Sequence, residues 1–253
     1  MDLKDGDDCL HLVTVEGGIG VGKSTVMDAL RQRHPSFVYI DEPVKEWEET
    51  GLLEHMYKGT VPPGTFQIAA LATRMAPLLK AVREGHRVIV TERCPYSDLE
   101  VFTKANLEDC SVDLTAYKMA YDALMTAMPP TVYLYTIYLH ADVDTLLQRM
   151  ASRARDAEKT ESHAAKSSRR AYLEKLQKRH DSFFEASAND LGVYRHSRSS
   201  VNAMLAANEV STQVLAILEA FFPMKIRPLE RKRPRAETED NADKAESPSV
   251  QLR

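Results

Sequence analysis

The sequence predicts an α/β fold, a parallel sheet of about five strands with helices on both faces and an arginine-bearing lid. Three observations predict it. Short apolar runs rich in β-branched residues alternate with longer helical patterns, as in strand–helix–strand units. The stretch VTVEGGIGVGKST, Val13 to Thr25, joins the first apolar run to the first helical pattern. A polar stretch between Ser152 and Arg170, SRARDAEKTESHAAKSSRR, falls between two further helical patterns, as a solvated linker or a mobile, arginine-bearing lid would.

In chain order, the candidate strands are His11–Glu16, Phe37–Ile40, Arg87–Thr91 and Thr131–Leu139, with a weak fifth near Val193–His196 because GVYRHS is polar. The candidate helices are Ser24–Arg33, Phe66–Arg83, Leu114–Met128, Asp142–Ser152, Arg170–Ala186 and Val201–Phe221. In such a sheet, ligands gather at the carboxyl ends of the strands.

Gly17 and the Gly22-Lys23-Ser24 triplet fit G-x-x-x-x-G-K-[ST], in the strand-to-helix context the motif requires. The fold is therefore expected to be of the P-loop nucleoside triphosphatase type. Gly17, Gly18, Gly20 and Gly22 let the backbone curl so that N–H groups face phosphate oxygens, and the helix start near Lys23 adds its positive end. Lys23 reaches the outer phosphates and the Ser24 hydroxyl goes to Mg²⁺. The predicted ATP-binding loop comprises Gly17, Gly18, Ile19, Gly20, Val21, Gly22, Lys23, Ser24 and Thr25. A glycine-rich turn without chemistry would not need that strand and helix.

Bulk properties narrow the partners. The 253 residues suffice for one large domain or two small ones, and 43% hydrophobic residues can bury a sizeable core. A formal net charge of −4 gives no general attraction to nucleic acid or anionic membrane. Cys9, Cys94 and Cys110 lack metal-ligand spacing, and an odd count points to a reducing, cytoplasmic setting. The acidic start MDLKDGDD resembles neither a secretory signal nor a transit peptide. The most apolar run, Val132–Leu139, is too short to span a bilayer. Residues 1–9 read as a tail, 10–224 as the domain with its lid at about 149–170, and 225–253 as a disordered tail, basic then acidic. The run Arg231-Lys232-Arg233-Pro234-Arg235 fits a nuclear import signal or basic contact patch; a solvated tail is the plainer reading.

The second strand ends in IDEPVKEW, with Glu42 at its tip, and the third in VIVTERCPYSD, with Glu92 and Arg93. Two carboxylates and an arginine beside a triphosphate fit phosphoryl transfer. One carboxylate helps hold Mg²⁺, another takes the proton of an attacking hydroxyl, and the arginine orients the base or neutralises charge.

From about residue 10 to residue 185 the chain resembles the deoxyribonucleoside kinases of the deoxycytidine, deoxyguanosine and insect multisubstrate type. EGGIGVGKST is similar to that family's phosphate loop, EPVKEW to its E-P-V-x-x-W element and ERCPYSD to its E-R-S-x-Y-S-D element, with Cys94 in place of serine. Met56-Tyr57 is followed by Phe66-Gln67, RMASRARDAE is similar to the arginine lid, and YLEKLQKRH to the helix after it. The order and spacing of these pieces together are highly specific.

The resemblance implies roles. Glu42 would be general base for the sugar 5′-hydroxyl, with Arg93 in the same neighbourhood and Glu92 helping to place Mg²⁺. Arg149, Arg153 and Arg155 would clamp the transferring phosphoryl group. Tyr57 and Glu158 would hydrogen-bond the 3′-hydroxyl, Gln67 would read the base edge, and Trp47 and Phe102 would sandwich the base beside Met56 and Phe66. Ala70, Arg74 and Asp98 occupy the positions that separate cytosine and purine acceptors from thymine, and they favour deoxycytidine or a purine deoxynucleoside. The family also implies homodimers. The connection from lid to YLEKL is longer than in cellular relatives, and after residue 190 no adenine contact is assigned.

Competing readings fit less well. A thymidine kinase of the same family shares the core but not those three pocket residues. A thymidylate-type nucleoside monophosphate kinase would want D-R-x at the third strand tip and no carboxylate facing its acceptor phosphate. A GTPase would carry N-K-x-D, which this chain lacks. A non-catalytic module would be expected to lose Lys23, Glu42 or Arg93, and all three are present.

Overall fold

Alternation along the first strand sorts the two faces of the sheet. In β1, Cys9–Gly17, Leu10 and Leu12 point one way and Val13 and Val15 the other, and all four are fully buried. The structure is a computed structural model that describes residues 9–153 and 163–222, the side chains of 163–166 excepted.

After β1 come α1 Lys23–Arg33, β2 Val38–Ile40, α2 Val44–Glu49, α3 Leu52–Tyr57 and the long α4 Pro63–Arg83. Next are β3 Val88–Glu92, α5 Pro95–Ser97, a π-helical segment Asp98–Thr103, α6 Lys104–Leu107 and α7 Ser111–Met125. The chain continues through β4 Thr131–His140, α8 Val143–Arg153, α9 His163–Glu185, α10 Ala188–Leu191, β5 Arg195–Asn202 and α11 Ala207–Phe221. The sheet runs β2-β3-β1-β4-β5 with every pair parallel. Val13 of the central strand is in register with Val90 on one side and Tyr135 on the other.

One face carries Leu10, Leu12, Ile89 and Leu134 packed with Leu71, Met75 and Leu78 of α4, Tyr117 of α7 and Leu176 and Phe183 of α9. The other carries Val13, Val15, Val90 and Ile137 packed with Met27 and Leu30 of α1, Leu146 and Met150 of α8 and Val214 and Leu218 of α11. Helices on both faces are what parallel strands require, because neither face meets water.

Two expectations need correcting. The fifth strand lies at Arg195–Asn202, overlapping the expected Val193–His196 at its start but extending past it, and the helix expected from Val201 begins at Ala207. As an edge strand, β5 leaves most of its side chains in or near water, and only Val201 is buried. Its pairing with β4 rests on backbone groups, so RHSRSSVN carries little hydrophobic signal. The short helices α2, α3, α5, α6 and α10 and the π-helical segment are too brief for a 3.6-residue period to show. Among the described residues, Cys9, Cys94 and Cys110 are free thiols, and no helix is long and apolar enough to cross a membrane.

Candidate active site

A cleft of about 740 Å³ opens over the carboxyl ends of the strands, where a doubly wound sheet places its ligands. At one end lies the turn from β1 into α1. Gly17 closes β1 at φ 140°, and a Cβ there would lie 2.3 Å from the Leu139 carbonyl oxygen, so only glycine fits. Gly22 precedes α1 at φ 106°, and no side chain caps that helix. Its first N–H groups therefore remain available to an anion. Lys23 Nζ donates to the carbonyls of Gly17 (3.5 Å) and Gly18 (3.2 Å) and lies 3.8 Å from Glu92 Oε1. Burial and the nearby Arg93 charge bring its ammonium down to about 8, against the pull of Glu92 and Glu42. The Ser24 hydroxyl donates to Glu92 Oε2 at 3.1 Å. Burial, with Glu42 nearby, pushes the Glu92 carboxyl up, while Lys23 opposes it.

At the other end, four separate segments build a charge network. Glu42, just beyond β2, accepts from Arg74 Nη2 of α4 at 2.5 Å and from Arg93 Nε at 3.2 Å. Burial opposes its charge, yet Arg93 and Arg74 outweigh that and hold the carboxyl at about 2. Arg74 Nη1 also donates to Asp98, which is fully buried and accepts from Tyr117 Oη at 2.9 Å. Despite burial, Asp98 and Glu42 keep Arg74 firmly protonated.

Arg93 directly follows β3 and has φ 66°, the only positive φ at a non-glycine among the described residues. Such a conformation costs about 1–3 kcal/mol and persists where the surroundings over-determine it. Pro95 keeps Cys94 extended, and the Cys94 N–H donates to Ser97 Oγ at 3.1 Å, so the chain turns sharply after Arg93. The guanidinium donates from Nη1 to the Gly17 carbonyl at 3.0 Å and lies 4.3 Å from the centroid of Phe102.

Aromatic side chains wall the cleft beside this network. Trp47 donates from Nε1 to Thr73 Oγ1 at 3.0 Å and meets Phe66 edge-on. Arg74 stands between Trp47 and Phe102, 5.0 and 6.0 Å from their ring centroids. Gln67 is buried and accepts from Thr103 Oγ1 at 3.4 Å. A glycine-rich turn into an uncapped helix start, an ionised carboxylate between two arginines, and an aromatic-walled pocket thus share one cleft. Against this geometry, the sequence pattern described as deoxynucleoside kinase matches residues 13–219.

The chain belongs to the deoxynucleoside kinase family. It is 29% identical over 178 residues to the deoxyadenosine/deoxycytidine kinase of Bacillus subtilis (strain 168), covering 68% of this chain and 76% of that protein. It is 29% identical over 197 residues to the mitochondrial deoxyguanosine kinase of Xenopus laevis, covering 68% and 72%. The fold is that of the deoxyadenosine kinase from M. mycoides solved with the products dCMP and a flexible dCDP, with a TM-score of 0.65, 22% identity, and coverage of 83% of this chain and 99% of that one.

In this deoxynucleoside kinase, the cleft is lined by Ile19, Gly20, Val21, Gly22, Lys23, Ser24 and Thr25 of the loop, whereas Gly17 and Gly18 lie behind it and offer carbonyls to Lys23. Glu42, Trp47, Met56, Tyr57, Phe66, Gln67, Ala70, Arg74, Glu92, Arg93 and Phe102 all line it as well. Asp98 stands behind Arg74 and not on the cleft wall. Arg149 and Arg153 reach the loop end of the cleft. Arg149 donates to the carbonyls of Val21 (3.0 Å) and Ala203 (2.7 Å), tying the phosphate loop to the turn after β5. Arg155 and Glu158 lie outside the described residues, as do 225–253.

The structure also adds residues that the sequence reading missed. Ala203, Leu205, Ala207 and Val210 line the cleft beside the phosphate loop; they were hidden because β5 itself was hard to place. Tyr172 joins the wall from α9, with Asn106 donating to its hydroxyl at 3.1 Å. Its place in YLEKLQKRH was the available signal.

Proposed function

We propose that this chain transfers the γ-phosphoryl group of ATP to the 5′-hydroxyl of a deoxyribonucleoside, and that it prefers deoxycytidine or a purine deoxynucleoside over thymidine. The observation that carries this reading is Glu42, an ionised carboxylate on the cleft wall held between Arg74 and Arg93. A carboxylate there would repel an acceptor phosphate but can accept a hydroxyl proton. Arg93 orients Glu42 from one side. Two cations make Glu42 a weak base in the free enzyme, so an acceptor that draws Arg74 toward its base edge would strengthen it. Gln67, Tyr57 and Met56 contact the nucleoside, and the Arg74–Asp98 pair narrows the pocket where a thymine methyl would lie.

On the donor side, loop N–H groups and Lys23 hold the phosphates. Arg149 and Arg153, joined by Arg155, close on the transferring group, while Ala203 and Leu205 flank the adenine. Ser24 and Glu92 suit Mg²⁺, which takes one or two protein oxygens beside phosphate and water; among the described residues no group of three or more His, Cys, Asp or Glu forms a metal cage. When bound, the ion would neutralise charge on the phosphates. A homodimer belongs to the same proposal and is read by light scattering.

The test is turnover with ATP and Mg²⁺ on deoxycytidine, deoxyadenosine, deoxyguanosine and thymidine and on the matching monophosphates. Nucleoside phosphorylation, with thymidine last, is expected. Activity confined to monophosphates would overturn the reading.

A further inference from the structure

Alternation along β1 puts Glu16 on the same face as Leu10 and Leu12, yet it is a carboxylate and 0% exposed. Such burial is costly unless the charge is paired. Its Oε1 accepts from the hydroxyls of Thr14 (2.6 Å) and Ser97 (2.5 Å). Its Oε2 accepts no hydrogen bond; its ionic neighbour is Arg93 Nη1 at 3.7 Å, and His180 Nε2 lies 4.0 Å away. Burial pushes the Glu16 carboxyl up, while Arg93, Ser97, Thr14 and Lys23 oppose that.

His180 comes from α9, two turns past Tyr172 on the same helix face. It is 1% exposed. Its Nδ1 donates to the Leu176 carbonyl at 2.9 Å, which leaves the lone pair on Nε2. That nitrogen accepts from Arg93 Nη1 at 3.4 Å. Burial and the Arg93 charge hold the ring neutral. Tyr138 stacks on it at 5.9 Å and Phe102 meets it edge-on at 5.6 Å, so the ring has little freedom. Neither Glu16 nor His180 lines the cleft.

Both side chains converge on one guanidinium nitrogen, Nη1 of the residue whose backbone is in the left-handed region. We propose that Glu16 and His180 are positioning residues that hold Arg93 from behind, so that its Nε reaches Glu42. The Gly17 carbonyl is the third hold on that nitrogen. The inference rests on the reading of Glu42 and Arg93 given above. It differs from a packing role, for which the Thr14 and Ser97 hydrogen bonds would suffice.

The experiment compares Glu16→Gln, Glu16→Asp, His180→Leu and His180→Gln, each alone and combined with Arg93→Lys, by kcat, by KM for both substrates and by melting temperature. Glu16→Gln keeps the shape and removes the charge; Glu16→Asp keeps the charge and withdraws it. His180→Gln keeps an acceptor near the Nε2 position, and His180→Leu removes it. We expect Glu16→Gln and His180→Leu to lower kcat by up to about 10²-fold, the loss that misplacement by about 1 Å brings, with KM for ATP unchanged. His180→Gln should recover most of the His180→Leu loss. In the Arg93→Lys background neither change should lower kcat further, because residues that act as a unit are not additive. Undiminished losses in that background, or wild-type kcat per folded molecule in the single variants despite a lower melting temperature, would overturn the inference. Wild-type turnover in Arg93→Lys and Glu42→Gln would instead overturn the reading of the site beneath it.

Discussion

At the loop end of the cleft, Lys23 meets two backbone carbonyls and, at 3.8 Å, Glu92; at the acceptor end, Arg74 and Arg93 share Glu42 while Asp98 and Glu16 back them. The first arrangement leaves backbone N–H groups and a buried ammonium for a ligand to complete. The second is already paired. A site for phosphates can stay short of anions, because the ligand brings them. A site for a neutral nucleoside has no such help, so its charges must balance within the protein or face the cost of burial. Pre-pairing also fixes geometry before substrate arrives, which is where catalysis by orientation gains most.

Changes at the two ends should therefore separate in kinetics. The largest effect is expected for Glu42→Gln, a kcat loss of roughly 10²–10⁴, the range for a positioned base, with KM for ATP unchanged; near-normal turnover would remove Glu42 from the mechanism. Next comes Lys23→Ala, which should cost about 10²–10³ with every acceptor, as loss of one preorganised donor does. An acceptor-dependent loss would break the separation of the two ends.

Smaller effects sharpen it. Arg74→Met with Asp98→Ala should move the thymidine-to-deoxycytidine ratio of kcat/KM by at least about tenfold, the scale of single pocket contacts; an unchanged ranking would sink the base assignment. The pH profiles should also differ between ends. On the proposed reading Lys23 acts as a cation, so kcat/KM for ATP should fall as pH rises through about 8, and Lys23→Arg should remove that limb. On the same reading Glu42 acts as an anion held at about 2, so its acid limb lies far below neutrality and should move upward in Arg74→Met, which removes one of the two arginines bonded to it. The smallest effect is expected for Arg31→Ala, which breaks the exposed pair with Asp41 beside Glu42; denaturation should register no more than about 1 kcal/mol.

Much of this was legible because it is local. The loop from Gly17 to Thr25 is contiguous, and its chemistry depends on backbone dihedrals and a helix start that a dozen residues specify. Glu42, Glu92 and Arg93 were readable as strand-tip residues because the short apolar, β-branched runs end beside them. β5 was hardest to read, since an edge strand holds on through backbone hydrogen bonds and RHSRSSVN needs no apolar face.

By itself the sequence determined the alternation of strands and helices and the glycine-rich turn from β1 into α1, and it offered the charged residues from which a site could be drawn. Only the tertiary structure decided which of those charges meet. Arg74 binds Glu42 across 32 positions of chain, and His180 reaches Arg93 across 87. Helical and strand periodicities carry information over a few residues. Pairing between distant side chains is set by which helices the parallel sheet stacks on each face, and that is a property of the packed core.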